Sequence, residues 1–122
     1  MIDSIIREFG ELLGMGGLEL QSDGSLVLEI EPSDTLCLVS SRDELFVSLS
    51  RSHQYPNTPT AARLLELLHF EKNDGQGVRC RRTDFGRTNV LMQTLPLDGL
   101  RGADVLEALD RLTKLHNMAE AV

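Results

Sequence analysis

The stretch SLVLEIEPSDTLCLVSSRDELFVSLS, residues 25 to 50, decides the fold. From 25 to 31, Leu26, Leu28 and Ile30 alternate with Val27, Glu29 and Glu31. Pro32-Ser33-Asp34 interrupts the run. From 35 to 40, Leu36 and Leu38 alternate with Cys37 and Val39. Ser41-Arg42-Asp43 turns the chain, and from 44 to 50 Leu45, Val47 and Leu49 stand opposite Phe46. Side chains of a strand point alternately to its two faces, so a period of two marks strands buried on one side. Short polar turns between three such runs predict an antiparallel meander. The inward set is the Leu26, Leu36 and Leu45 series.

Working outward, the period changes. Ile2, Ile5, Ile6, Phe9, Leu12 and Leu13 recur at helical spacing, and Gly14, Gly16 and Gly17 supply the stop. Leu18 and Leu20 form a short extended piece before the turn Ser22-Asp23-Gly24. Residues 51 to 57 are polar and loop-like. Thr58-Pro59 then opens a second helix, with Thr as cap and Pro in the first turn. This helix carries Ala61, Ala62, Leu64, Leu65, Leu67 and Leu68, and Asn73-Asp74-Gly75 ends it with a turn signal. Two more strands, 77 to 83 and 88 to 95, flank Asp84-Phe85-Gly86. Leu95-Pro96-Leu97 leaves the sheet, and Val105, Leu106, Leu109, Leu112, Leu115 and Ala119 mark a last helix. The order is α-β-β-β-α-β-β-α. Grouped strands with segregated helices predict an α+β domain, its antiparallel sheet covered by helices on one face. With 122 residues, no internal repeat and no linker composition, one domain over 1–122 is expected.

Two features point to binding. A sheet covered on one side should be polar on the other, yet Val27, Cys37, Val39 and Phe46 fall on the outward side. Such apolar surface is either a binding patch or ordinary scattered exposure. The second helix is apolar over more than one stripe, which means deep burial or a shared interface with a second copy.

Composition narrows the function. The net charge is -7 and the isoelectric point about 4.8, which argues against duplex DNA or anionic lipid as the main partner. The one basic concentration is Arg79, Arg81 and Arg82 with Arg87 nearby. Arg79 and Arg81 share a strand face and suit an acidic stretch of a partner, whereas single-stranded nucleic acid needs stacking aromatics beside them. No signal-peptide pattern and no run of about 20 apolar residues is seen, so a reducing cytoplasm with Cys37 and Cys80 as free thiols is expected. His53, His69 and His116 lie in three separate segments without metal-site spacing, so they read as surface imidazoles and no metal is expected. Gly14-Met15-Gly16-Gly17 follows a helix, where a phosphate loop follows a strand. Glu29, Glu31, Asp34, Asp43 and Glu44 sit at turns or on polar strand sides and read as solvated charge.

Taken together in order, the segments resemble the class I type III secretion chaperones. The resemblance spans nearly the whole chain. It rests on the opening helix ending Leu13-Gly14, Leu18-Glu19-Leu20, the Asp23-Gly24 turn and Leu26-Val27-Leu28-Glu29-Ile30-Glu31. It continues through two further strands, the middle helix ending Leu67-Leu68, the hairpin, Leu95-Pro96-Leu97 and the last helix. The resemblance implies a cytoplasmic bacterial homodimer that binds an extended N-terminal segment of a secreted effector protein and keeps it soluble and export-competent. It implies no catalysis and no cofactor. It places effector contacts at Ile5, Phe9, Val27, Val39 and Phe46, and the dimer interface at Ala61, Leu64, Leu65, Leu67 and Leu68. Two other readings stay open. One is a protein-binding adaptor or regulator of similar fold. The other is a small enzyme using Cys37 or Cys80, which requires an activated thiol.

Overall fold

The alternation of residues 25 to 50 closes into three antiparallel strands in the computed structural model, which describes residues 2–31, 33–53, 58–71 and 77–120, with side chains outside the description at 31 and 69–71. They are β1 (Ser25–Glu31), β2 (Asp34–Ser40) and β3 (Glu44–Ser52). A helix, α1 (Ile2–Leu13), precedes them; α2 (Thr58–Glu71), β4 (Arg79–Thr83), β5 (Thr88–Pro96) and α3 (Gly102–Glu120) follow. The order is the one the sequence predicts, and the chain is α+β. The expected break at Pro32, part of the 51–57 loop and the Asn73-Asp74-Gly75 turn lie outside the described residues.

One five-stranded antiparallel sheet forms in the order β1-β2-β3-β5-β4. The register carries Leu38 beside Val47, Leu36 beside Leu49 and Leu49 beside Leu91. These side chains share the inner face and are fully buried, with Leu45. Helix α3 packs on β3 and β5, α1 packs on α3, and α2 packs on α3 and β4. Phe9, Ile6, Leu64, Leu112 and Val105 complete the core from the helical side. Each large aliphatic side chain taken from water contributes about 1.5–3 kcal/mol. With few aromatics, the hold is spread over many leucines.

Polar contacts fix how the helices sit. Gly14 ends α1 at φ +78, and the Met15 N–H donates to the Gly10 carbonyl at 2.8 Å, a left-handed stop that favours glycine. Glu8 of α1 caps α3. Its carboxylate accepts from the Gly102 N–H and from Arg101 at 2.8 Å. Arg101 and that N–H hold the Glu8 carboxyl below the usual range. The approach is close: a Cβ at Gly102 would lie 2.5 Å from Phe9 N and 2.8 Å from Glu8 Cβ. Only glycine lets the two helices meet there.

At the other end of α3, Arg51 of β3 grips Asp34 of β2 through two bonds of 2.7 Å. Its third nitrogen donates to Asn117 at 2.8 Å and Glu120 at 3.1 Å. Asp34 is 3% exposed, which corrects its reading as solvated turn charge. Asp34 is already strand, facing Arg51 across the register. His116 is also buried, at 1% exposure, rather than a surface imidazole. It lies on the stripe of Leu112, Leu115 and Ala119, and its Nε2–H donates to the Leu49 carbonyl at 2.9 Å. Burial lowers its pKa below the ordinary imidazole value, and the nearby Arg51 adds to that.

Candidate protein-binding surface

All three helices lie on the inner face, so the outer face of the sheet carries no cover from them. Its composition follows from the strand period. Val27, Cys37, Ser48 and Met92 stand side by side across β1, β2, β3 and β5. Val39 and Phe46 form the neighbouring row, and Val90 sits beside Ser50 in the row on the opposite side. Val27 is 54% exposed and Val39 37%; Phe46, Val90 and Met92 are half-buried. The structure thus brings Val27, Val39 and Phe46 together on one open apolar surface, as the alternation predicts. The sequence reading missed Met92 and Val90 as members. Their signal was the same alternation in residues 88 to 96.

The outer face is charged at its two ends. Glu29 of β1 is exposed at one edge strand, and Arg79 and Arg81 of β4 are exposed at the other. Among the described residues both edge strands keep one side free of ladder partners in the sheet, and an unpaired strand edge can accept a further strand.

Ile5 and Phe9 require a correction. The resemblance places them in an effector-contacting patch, but Ile5 is buried and Phe9 is fully buried. The α1 stripe is used against α3 in the chain's own core. Leu12, on the same helix, is exposed. On α2, Ala61 and Leu64 are likewise buried within the chain, so they do not face a second copy. Packing of α2 on α3 and β4 consumes that stripe. Leu65 points the other way and is 62% exposed, and Leu67 and Leu68 are half-buried.

The thiols are free and lie on opposite faces of the sheet, since Cys37 pairs with Ser48 and Cys80 with Leu91. Burial pushes the Cys37 thiol up, and the Asp23 charge adds to the rise. Burial also raises Cys80, against a partial offset from Arg82. Both shifts run opposite to the one a nucleophilic cysteine needs. Among the described residues no cluster of His, Cys, Asp and Glu is arranged to hold a metal ion, and no helix is long and apolar enough to cross a membrane.

One strained feature had a signal in the sequence only at its Asp. Asp84 and Phe85, at the tip of the β4–β5 hairpin, have φ of +53 and +55, a region non-glycine residues seldom occupy. An Arg87–Asp84 ion pair of 2.9 Å holds the tip, and Phe85 projects 92% exposed.

The sequence matches no protein-family model and no curated protein. The fold does match solved structures. A chain of the ExsC–ExsE complex superposes with a TM-score of 0.76 at 12% identity, over 96% of this chain and 89% of that one. A chain of the HopA1–SchA chaperone–effector complex gives 0.75 at 15%, over 99% and 94%. A chain from the Yersinia pestis type III secretion chaperone SycH, in complex with a stable fragment of YscM2, gives 0.63 at 18%, over 94% and 99%. The chain therefore has the fold of the type III secretion chaperones.

Proposed function

We propose that this chain is a type III secretion chaperone that binds the N-terminal region of a cognate effector and holds it soluble and ready for export. The observation that carries this reading is the open apolar outer face of a sheet whose fold is shared with the chaperone–effector complex HopA1–SchA and with the type III secretion chaperone SycH, solved with a fragment of YscM2. A monomeric soluble domain gains nothing from Val27, Val39 and Phe46 side by side in water; a partner that covers them stabilises the complex by area burial. The β1 and β4 edges suit an extended client segment, which gains main-chain hydrogen bonds by adding as a strand. Net negative charge keeps a protein with such a surface dispersed. The protein works as a cytoplasmic homodimer through α2, with Leu65 at the centre of the contact and Leu67 and Leu68 beside it. Binding requires no catalytic group and no cofactor.

The test is to purify the tagged chain with its partner from the native host, identify the partner, and map by limited proteolysis the partner segment that is protected. A protected stretch near the N-terminus of an exported protein, in a complex of two copies of this chain with one client, supports the reading. Deleting the chain's gene then lowers that client's secretion. A partner bound only as a folded domain, with secretion unchanged, overturns it in favour of an adaptor.

A further inference from the structure

The register of the outer face orders charge as well as apolar surface. One row runs Val27, Cys37, Ser48, Met92, Arg79. The adjacent row runs Glu29, Thr35, Ser50, Val90, Arg81. Both rows end in an exposed arginine on β4, and the second begins in an exposed glutamate on β1. The ion pairs formed among the described residues use none of these three charges. The face is thus acidic at one edge, uncharged in the middle, where Cys37, Val90 and Met92 alternate with Thr35, Ser48 and Ser50, and basic at the other edge.

A segment that covers this face must satisfy its own backbone. The strands beneath already pair their N–H and C=O groups in the ladders, so an extended chain lying over the centre would bury unpaired groups of its own. A helix bonds its backbone internally. Four strand spacings of about 4.8 Å make roughly 19 Å from edge to edge, which about 13 helical residues span at 1.5 Å each.

We propose that the outer face takes an amphipathic helix of the client, laid across the strands, with acidic residues over Arg79 and Arg81, a basic residue over Glu29, and apolar residues between them on Val27, Cys37, Phe46 and Met92. This rests on the reading above that the face binds a client, and it adds the chemistry of the segment bound. Strand addition at an edge and helix docking on the face are compatible, because they use different atoms of the sheet.

The probes are three synthetic helical peptides with one shared apolar stripe. One carries Glu at one end and Lys at the other, one carries Lys at both ends, and one carries Glu at both. Affinity is read by fluorescence anisotropy, and position by the rate at which Cys37, on β2 of this face, reacts with a maleimide. The bipolar peptide should bind the unaltered chain about ten-fold more tightly than either of the others and slow the labelling of Cys37. In the variant Arg79→Glu/Arg81→Glu both edges are acidic, and the Lys–Lys peptide should become the tightest. In Glu29→Lys both edges are basic, and the Glu–Glu peptide should take first place. Circular dichroism verifies that the variants fold. Equal binding of the three peptides, a ranking indifferent to the charge reversals, Cys37 labelling unchanged by the bound bipolar peptide, or no binding by any peptide overturns the proposal. If the purified client complex still forms while any of these results holds, the charge order fails and the chaperone reading stands.

Discussion

Replacing Arg51 with leucine should loosen the far end of the fold by an amount that can be worked out. The guanidinium meets both oxygens of Asp34 at 2.7 Å, with the arginine side chain 11% and the aspartate 3% exposed. Arg51→Leu leaves the Asp34 carboxylate buried without its cation. Breaking a buried pair on one side costs about 3–5 kcal/mol. Glu120, which loses its contact with Arg51, stays partly in water, so the lower end, about 3 kcal/mol, applies. The assay is urea unfolding followed by circular dichroism, at one fixed protein concentration because the stability of the proposed dimer would depend on it. With an m value of about 1.5–2 kcal/mol/M, the midpoint falls by roughly 1.5–2 M. The double variant Asp34→Leu/Arg51→Leu removes both charges and should recover most of the loss, since an apolar pair can replace a buried ion pair at little net change. A single-variant loss below about 1 kcal/mol, the value of an exposed pair, would refute the burial reasoning. So would a double variant as unstable as the single one.

Three further outcomes follow from the packing. His116 is held neutral, with its pKa lowered by burial. Stability is therefore full above the unfolded-state value near 6.5 and declines as pH falls from there toward the lowered folded-state value; urea midpoints measured between pH 5 and 7.5 should show this slope, and His116→Gln should flatten it. Gly102→Ala drives a methyl against the α1 backbone and should lower the urea midpoint by the equivalent of about 1–3 kcal/mol; an unchanged midpoint contradicts the tight α1–α3 approach. Leu65→Glu places charge on the exposed side of α2 and should convert the proposed dimer to a folded monomer in light scattering, whereas a dimer that persists rules out α2 as its interface.

The period of two was legible because burial on one face of a sheet prints itself directly into alternation; the run from Leu26 to Leu49 needed no tertiary information. The same holds for the outward placement of Val27, Val39 and Phe46. The fate of an apolar stripe is a different matter. Ile5, Phe9, Ala61 and Leu64 lie on helix faces that could meet a partner or the chain's own core, and spacing is identical in the two cases. Asp34 was misread because its partner Arg51 is 17 residues away and comes beside it only through strand register. His116 did carry a signal, since it shares the spacing of Leu112, Leu115 and Ala119, and a polar residue on a buried stripe needs a partner. The left-handed backbone of Phe85 has no such trace, because Phe does not favour it, whereas Asp84 is of a type that tolerates that region in turns.

The most direct test of client binding by the outer face is titration calorimetry of the purified chain, and of Val39→Asp and Phe46→Asp, against the protected client fragment. Each variant places a carboxylate where client apolar surface should lie. Weakening by at least about thirty-fold, the scale of a 2 kcal/mol hot spot, with circular dichroism and solution mass unchanged, is the predicted result. Undiminished affinity in both variants would contradict the outer face as the binding surface.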